Sequence, residues 1–469
     1  MTYKPYSRVL ITMIALATTA PDAALANGRP PGTSTINFRR GSSQDIAAGM
    51  TFGVVLSHDG GQTWRWMCEK AVLYGGLYDP DYVYSSTGTL FATTFDGALV
   101  NRDGCTFMPA GFGKKFFSSI TQSSDGTIYM AAADVPDGMG SVGDAKIYKS
   151  TDNGATFPTS ATAGQINDWY NSLEVAPSDP SRVYLSAYRL AVGGSRSFQI
   201  YKSTDAGATF TPVTSTGFTT SDDSSIDIVG IKANNPDTLF VRVTVANGNL
   251  GDVIWRSDNA GGTWTKIFEQ ADNISFVARA NGDLVAATKL SGTFVARGPT
   301  NATWEPVAGA PHVNCLVESP AGELWACTQN FGAMQIPSDD AGIMKTTDLT
   351  SWTKVLRYQD IGGPVECAAG TRQHDQCVFD CPDMTYDANP ATCPNSTPRS
   401  WCILRNQLGI TSTVIECPAP VADASPDAVT TPTPKSSSGC CDAGDTSGGA
   451  GAAFLGVGLA LLVWRPRRR

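Results

Sequence analysis

The chain has 469 residues, of which 42% are hydrophobic and only 16% are charged, with 47 Gly and 28 Pro. This length allows a large buried core, and the low charge excludes a coiled coil or a disordered acidic tail. The formal net charge of -9 argues against a nucleic-acid partner, because polyanion binding needs a basic surface. With only His58, His312 and His374 present, sites built on several imidazoles are not expected, and no metal or cofactor is predicted.

The N-terminal residues have the features of a secretory signal. Lys4 and Arg8 precede an apolar run, residues 9–17, and Ala24-Leu25-Ala26 supplies the small residues at which signal peptidases cut. Pro21 and Asp22 end the apolar run before it is long enough to span a membrane. We therefore predict that residues 1–26 are removed and that the protein is secreted.

A repeated turn organises the middle of the chain, because residues 147–157 recur almost unchanged as residues 200–210. The underlying pattern is Ser-x-Asp-x-Gly-x-Thr-(Trp/Phe), with Asn259 in the Asp place of one copy. The clear copies contribute Ser57, Asp59, Gly61 and Trp64; Ser150, Asp152, Gly154 and Phe157; Ser203, Asp205, Gly207 and Phe210; and Ser257, Asn259, Gly261 and Trp264. Weaker copies end at Phe107, Trp304 and Trp352.

The spacing of these turns predicts the fold. A short carboxylate accepts backbone N–H bonds inside a turn, Gly adopts the backbone angles that other residues avoid, and the aromatic side chain starts the next strand. The seven aromatic ends are 40 to 54 residues apart, and this period is typical of propeller blades with four short strands. We predict an all-β, seven-bladed β-propeller over residues 27–365, with six or eight blades as alternatives.

The repeated turn resembles the Asp-box, or BNR repeat, of sialidase-like propellers. In that family the boxes are structural and lie on the face opposite the active site. Sialidases hold the substrate carboxylate with three arginines, one of them in a Phe/Tyr-Arg-Ile-Pro motif, and Phe38-Arg39-Arg40-Gly41 stands in the corresponding place without the Ile-Pro. The resemblance therefore implies the fold and leaves glycosidase activity as an alternative.

The ten cysteines before the C-terminal tail form an even set, which export would allow to form disulfides. Cys315 and Cys327 flank a hairpin turn and are predicted to pair, and Cys68 and Cys105 could join the first two blades. The other six lie between Cys367 and Cys417. We predict that residues 366–418 form a small module stabilised mainly by its own bridges, with a zinc site as the alternative.

The C-terminal end has the features of a sorting signal. Residues 419–438 are rich in Pro, Ser, Thr and Ala and are predicted to be a spacer. After it, Gly439-Cys440-Cys441 leads to an apolar run, residues 448–464, and then to an arginine cluster. Residues 439–469 resemble the MYXO-CTERM tail of myxobacterial surface proteins. That resemblance implies sorting machinery that cuts near Cys440 or Cys441, with a lipid anchor as one outcome; a permanent transmembrane anchor is the alternative.

Ligands of propellers usually bind on the face that carries the connections between blades. There we place the candidate binding residues Asp79, Asp168, Trp169, Tyr170, Asp227 and Asp272, and the long loops 134–146, 188–199, 245–252 and 329–342. An aromatic ring beside carboxylates could stack on a sugar. In the alternative interpretation, Asp168, Asp227 and Asp272 cap turns and Trp169 packs between blades. Asp134, Asp137 and Asp144 could bind calcium, although their loop lacks the order of a known calcium motif.

Together these features predict a secreted propeller at the cell surface or outer envelope. Its predicted role is non-catalytic binding of a glycan, a protein or an envelope component, and we expect a monomer. An exo-acting, sialidase-like glycoside hydrolase and a structural or assembly factor are the alternatives.

Overall fold

The computed structural model describes residues 29–417, except for 75–78, 95–96, 114, 134–144, 166–167, 191–195, 218–224, 246–250, 299, 302, 334–335, 380–399, 413 and 416. The predicted signal peptide, the spacer and the sorting tail with Cys440 and Cys441 lie outside the described residues. Within the described part of the chain, no helix combines the length and the apolar character needed to cross a bilayer.

Seven antiparallel sheets of four strands each make up most of the structure. The first four sheets contain β1 (Thr33–Phe38), β2 (Ile46–Met50), β3 (Gly53–Ser57) and β4 (Arg65–Met67); β5 (Tyr82–Tyr84), β6 (Leu90–Thr94), β7 (Gly97–Asn101) and β8 (Phe107–Pro109); β9 (Phe117–Gln122), β10 (Ile128–Ala132), β11 (Lys146–Ser150) and β12 (Thr159–Ala161); and β13 (Asp168–Ala176), β14 (Asp179–Leu190), β15 (Arg196–Ser203) and β16 (Thr211–Val213).

The last three sheets follow the same order. They contain β17 (Ile226–Ile231), β18 (Leu239–Val245), β19 (Gly251–Ser257) and β20 (Thr265–Gln270); β21 (Ile274–Ala278), β22 (Leu284–Thr288), β23 (Thr293–Ala296) and β24 (Trp304–Val307); and β25 (Cys315–Glu318), β26 (Leu324–Cys327), β27 (Ile343–Thr346) and β28 (Thr353–Leu356).

The sheets are the blades of a closed ring. The first strand of each blade contacts the first strand of the next, and β25 of the seventh blade contacts β1 of the first. The first strands therefore line the centre, and the fourth strands lie at the rim. The prediction of a seven-bladed propeller is confirmed, and six or eight blades are excluded.

Serine hydroxyls join the first strands of several neighbouring blades. The Leu173 N–H donates to Ser119 Oγ at 3.1 Å, and the Ile228 N–H donates to Ser172 Oγ at 2.7 Å. Ser275 donates its hydroxyl to the Asn314 carbonyl at 2.7 Å. These bonds satisfy backbone groups between blades, where the sheets themselves cannot.

Each repeated turn joins the third and fourth strands of its blade, as the sequence predicts. In the turn before β12, the backbone N–H of Thr156 donates to Asp152 at 2.9 Å, and its hydroxyl donates to the same carboxylate at 2.6 Å. The Gly154 N–H donates to Ser150 Oγ at 2.8 Å. The same bonds recur around Asp59, Asp205 and Asn259, so the amide of Asn259 replaces the carboxylate as acceptor.

The glycines of these turns lie against the preceding blade. A Cβ at Gly154 would be 2.2 Å from a ring carbon of Phe91, and a Cβ at Gly207 would be 3.0 Å from the ring of Tyr129. Phe91 and Tyr129 are the second residues of β6 and β10. Only glycine leaves room for this approach, so the turns contribute to packing between blades as well as within them.

The disulfides confirm one predicted pairing and correct another. Cys315 and Cys327 are bonded across β25 and β26, as predicted. The proposed link between Cys68 and Cys105 is wrong: Cys68 pairs with Cys377, and Cys105 pairs with Cys367. The sequence could not show this, because residues far along the chain return to the first two blades.

The described residues of 358–417, that is 358–379, 400–412, 414–415 and 417, are here called the closing segment and pack on the first blade. They contain a 3-10 turn (Tyr358–Asp360), a π-helix (Gln373–Val378) and α2 (Ser400–Leu408), and the π-helix contacts both α2 and α1 (Glu69–Val72). Cys377, Trp401 and Leu408 belong to the same apolar cluster as β2 and β3. The predicted module therefore has a core shared with blade one, in addition to the internal bridge between Cys402 and Cys417. Cys381 and Cys393 lie outside the described residues.

Candidate functional site

The blade order defines two faces of the ring. The loop face carries the connections between blades and the loops between second and third strands, and the turn face carries the repeated turns. Asp79 and Asp272 lie in connections that lead to new blades, and Asp168 and Asp227 lie at the start of β13 and β17. The four predicted aspartates thus lie at the loop face in four separate blades, and Trp169 and Tyr170 follow Asp168 in β13, so the six residues do not converge in one cluster.

Asp168 is held by a complete set of partners. Arg189, its cross-strand neighbour on β14, donates from Nε at 2.5 Å and from Nη2 at 2.8 Å, and the Tyr201 hydroxyl donates at 2.5 Å. The Gln165 N–H donates at 3.0 Å. Burial alone would raise the pKa of Asp168, but the bonds from Arg189 and Tyr201 more than offset this and lower it. The side chain is therefore an ionised structural carboxylate.

Tyr170 is buried on the same side of blade four. Its hydroxyl accepts from the Ala163 N–H at 2.7 Å and lies 2.8 Å from the Ala163 carbonyl. Both bonds fasten the connection between blades three and four to β13. Tyr170 therefore positions this connection, and its ring is fully buried.

Asp227 belongs to a second buried ion cluster. Arg242 Nη2 lies 3.1 Å from Asp227, and its Nε lies 3.9 Å from Asp252, the second residue of β19. The Ile274 N–H donates to Asp252 at 2.8 Å, and Arg242 Nη1 donates to the Ile274 carbonyl at 3.1 Å. The cluster therefore fixes the start of the sixth blade against the fifth.

The two remaining aspartates also have local partners. Asp79 pairs with Arg29 at 2.7 Å, and both side chains are largely buried. Asp272 accepts the N–H of Leu290 at 2.7 Å and that of Asn273, so it caps the turn before β21. Asp79, Asp168 and Asp227 thus form ion pairs and Asp272 caps a turn, whereas the alternative interpretation predicted turn caps for Asp168, Asp227 and Asp272.

Blades four and five rise above their neighbours at the loop face. β14 and β15 pair as far as Leu190 and Arg196, and β18 and β19 pair as far as Val245 and Gly251. β10 of blade three already ends at Ala132. Compared with the five residue pairs of β10 and β11, the eight pairs of β14 and β15 extend that hairpin by about 10 Å and the seven pairs of β18 and β19 extend theirs by about 7 Å, at about 3.3 Å per pair. Residues 188–190 and 196–199 of the first predicted loop, and residues 245 and 251–252 of the second, are therefore strand.

An aromatic row crosses the raised part of blade four. Trp169 and Tyr188 are cross-strand neighbours with ring centroids 6.0 Å apart and planes 25° apart. Phe116, just before β9, lies 5.5 Å from Trp169 at 34°, and Phe198 lies 6.2 Å from Tyr188 at 55°. Phe116, Trp169 and Phe198 are partly exposed, and Tyr188 is 7% exposed. Trp169 thus bridges blades three and four and retains some exposed ring surface.

Sequence reasoning missed Phe116, Tyr188, Arg189 and Phe198 as parts of this region. A partial signal was present, because Tyr184, Tyr188 and Leu190, and Phe198 with Ile200, stand at alternate places, although Ser186 interrupts the first series. The glycines of residues 193–194 suggested a long loop instead.

Arg39 and Arg40, in the segment that resembles the sialidase motif, lie on the turn face of the ring. Residues 39–41 follow β1 and belong to the turn face. Arg39 donates from Nε and Nη2 to the Ser86 carbonyl, and Arg40 Nη1 donates to the Gln122 carbonyl at 3.2 Å. These two side chains join the first blade to the second and third.

Metal binding has no visible basis in the described part of the chain. Within it, no group of three or more His, Cys, Asp or Glu side chains could hold a metal ion. The calcium alternative at Asp134, Asp137 and Asp144 falls outside the described residues. The zinc alternative relied on cysteines of which Cys367, Cys377, Cys402 and Cys417 are disulfide-bonded.

Comparisons with known proteins give structural similarity at low sequence identity. No protein-family description matches the chain, and no curated protein has a similar sequence. Among solved structures, an ancestral GH74 enzyme has 14% identity and a TM-score of 0.48, over 64% of this chain and 44% of its own. A Hadza microbial sialidase, Hz136, has 12% identity and a TM-score of 0.38, over 66% and 72%.

A third similar structure is YCF48 bound to D1 peptide, with 11% identity and a TM-score of 0.35, over 55% of this chain and 74% of that one. This chain therefore spans less than half of the ancestral GH74 enzyme and about three quarters of the other two. At such identities and scores the three structures assign no activity to this chain, and its fold rests on its own seven sheets.

Proposed function

We propose that this protein is an exported propeller that binds a glycan at the aromatic row of blade four. The observation that carries the proposal is the row itself, with Phe116, Trp169, Tyr188 and Phe198 at centroid spacings of 5.5 to 6.2 Å. The C–H face of a sugar ring is flat and apolar, so it packs well against an aromatic plane. Trp169 is the main anchor because its ring is large and partly exposed.

The carboxylates favour binding over glycosidase chemistry. Glycoside hydrolysis uses one carboxyl group as acid and a second as base or nucleophile, about 5 to 9.5 Å apart. Asp168 is saturated by Arg189 and Tyr201, and Asp227 faces Arg242. Both carboxylates are already engaged by arginines, so we assign these residues to positioning the raised hairpins.

The finer sequence assignments belong to the same proposal. We infer that the repeated turns are Asp-boxes with a structural role, that residues 1–26 direct export, and that residues 439–469 sort the protein to the cell surface. Four disulfides among the described residues support the export assignment, because such bonds persist mainly in oxidising compartments.

A glycan array with purified protein, followed by titration of the best glycan, tests the proposal. Trp169→Ala should raise the dissociation constant by at least about tenfold, because a central aromatic anchor typically contributes more than about 1.4 kcal/mol to binding. Leu290→Ala is the matched control, since Leu290 is a 66% exposed apolar residue on the same face in blade six. It should leave binding unchanged.

Activity on a panel of chromogenic glycosides separates the alternatives. Turnover that is lost in Asp168→Asn or Asp227→Asn but retained in Trp169→Ala would favour the glycosidase. Absence of any glycan on the array, or equal binding by Trp169→Ala and wild type, would contradict the proposal.

A further inference from the structure

In the part of the chain that the structure describes, the first and last blades do not exchange a strand. Every blade, including the first and the seventh, consists of four consecutive strands. Among the described residues, none of the strands β1 to β4 or β25 to β28 is therefore shared between these two blades, and backbone pairing between them comes from the chain after β28. Whatever holds this junction beyond side-chain packing must come from outside the two sheets.

The closing segment runs along the rim of the first blade. The Trp66 N–H donates to the Gly363 carbonyl at 2.9 Å, and the Val365 N–H donates to the Trp66 carbonyl at 2.8 Å. Trp66 and Pro364 form a parallel bridge, so residues 362–365 add a short fifth strand beside β4. A similar parallel bridge joins Thr216, in the connection after blade four, to Thr263 of blade five. After blade seven, as after blade four, the chain forms a parallel bridge with a residue of the next blade around the ring.

A buried side chain extends this pairing past the end of β4. Gln373 Nε2 donates to the Trp66 carbonyl at 2.8 Å, and the Cys68 N–H donates to Gln373 Oε1 at 3.4 Å. Gln373 is fully buried. Its amide therefore gives the Cys68 N–H, just after the end of β4, an acceptor and adds a second donor to the Trp66 carbonyl.

Two disulfides then tie the same segment to two different blades. Cys377 is bonded to Cys68 at the end of blade one, 309 residues away in sequence. Cys367 is bonded to Cys105 in the repeated turn of blade two, 262 residues away. The closing segment thus joins the chain that leaves blade seven to blades one and two at once.

We propose that the closing segment is a covalent clasp, and that the propeller reaches its stable closed form only after these two disulfides have formed. For each bridge, two thiols lose two electrons and two protons to a thiol–disulfide oxidant, whose own disulfide becomes a dithiol. In a reducing compartment the two disulfides would not form, and export to an oxidising compartment would allow them to form and to close the ring covalently. The inference does not depend on the ligand.

Hydrogen exchange of the β4 backbone tests the clasp. The first measurement compares oxidised wild type with Cys105→Ser/Cys367→Ser and Cys68→Ser/Cys377→Ser. Cys315→Ser/Cys327→Ser is the matched control, because that bridge lies within blade seven and closes a span of only 12 residues. We expect exchange in β4 to rise at least tenfold in the clasp variants and to stay unchanged in the control, with β14 and β18 protected throughout.

A second measurement covers variants that fail to fold. Folded wild type is treated with dithiothreitol, and thiol labelling followed by mass spectrometry identifies which bridges have opened. Cys105–Cys367 should open first, since Cys377 is fully buried and Cys68 is 7% exposed. Unchanged β4 exchange after both bridges are reduced would overturn the clasp, as would an equal increase in every blade. Either result leaves glycan binding to be judged separately.

Discussion

Gly61 of the first blade lies against Trp325 of the seventh. A Cβ at Gly61 would be 3.1 Å from Trp325 Cη2 and 2.7 Å from Val355 Cγ1. Trp325 is the second residue of β26, the place that Phe91 and Tyr129 occupy in their own blades. The junction of last and first blades therefore uses the same contact between turn and aromatic ring as the junctions of blade two with three and of blade three with four.

This contact predicts a steric penalty at Gly61. We expect Gly61→Ala to destabilise the protein by about 1 to 3 kcal/mol more than Gly126→Ala, measured by urea unfolding. Gly126 has a similar backbone angle, φ +93° against +89°, and open space where its Cβ would stand. Both variants suffer the same backbone strain, so the difference isolates the contact with blade seven. Equal losses would contradict it.

The repeated turns predict loss of stability in acid. The Thr156 hydroxyl and N–H lower the pKa of Asp152 to about 2, and Thr209 does the same for Asp205. The unfolded pKa is about 3.9, so these groups stabilise the fold above about pH 4 and lose that effect as the pH falls through about 2.

The double variant Asp152→Asn/Asp205→Asn measures this effect. An amide keeps the turn, as Asn259 does by accepting the Thr263 N–H at 2.8 Å. We expect the variant to unfold slightly more easily at pH 7 and its unfolding free energy to depend less on pH between about 4 and 2 than that of wild type. Identical pH dependence would show that these carboxylates are not linked to folding.

We expect substitution of Asp168 to lower the stability of blade four. Asp168→Asn removes the negative charge and one of the two oxygens that accept from Arg189 and Tyr201, and we expect a loss of about 2 to 4 kcal/mol, moderated because Arg189 retains 34% exposure. Tyr201→Phe removes one hydrogen bond and should cost about 1 kcal/mol. Urea unfolding measures both. Unaltered stability in Asp168→Asn would mean that this carboxylate is available for another role.

The closing segment predicts a core contribution from Trp401. Its ring lies 5.8 Å from that of Trp66 and is fully buried, so Trp401→Ala should cost about 3 to 5 kcal/mol in thermal or urea unfolding. Ile403→Ala in the same helix is the control, because Ile403 is 45% exposed and should cost under about 1 kcal/mol. Similar small losses of stability in both variants would instead support the prediction that residues 366–418 are stabilised mainly by their own bridges.

The sequence predicted the parts of this fold that depend on local chemistry. A turn such as that of Ser150, Asp152 and Gly154 is specified within a few residues, and its repetition predicts the blades. The pairing of Cys68 with Cys377 depends on the path of the chain after the last blade, which no local pattern encodes. The aromatic row was missed in part because Tyr188 and Phe198 meet only when β14 and β15 continue beyond the usual strand length.

Four of the seven outermost strands have features that hinder association with other copies of the molecule through their edges. An unpaired strand edge invites another chain to add to the sheet, which leads to aggregation. The edge of β4 is covered by residues 362–365, and β8, β16 and β24 each contain a proline, Pro109, Pro212 and Pro306. Proline cannot donate to a further strand. Loss of the covering residues would therefore expose an edge that has no proline of its own.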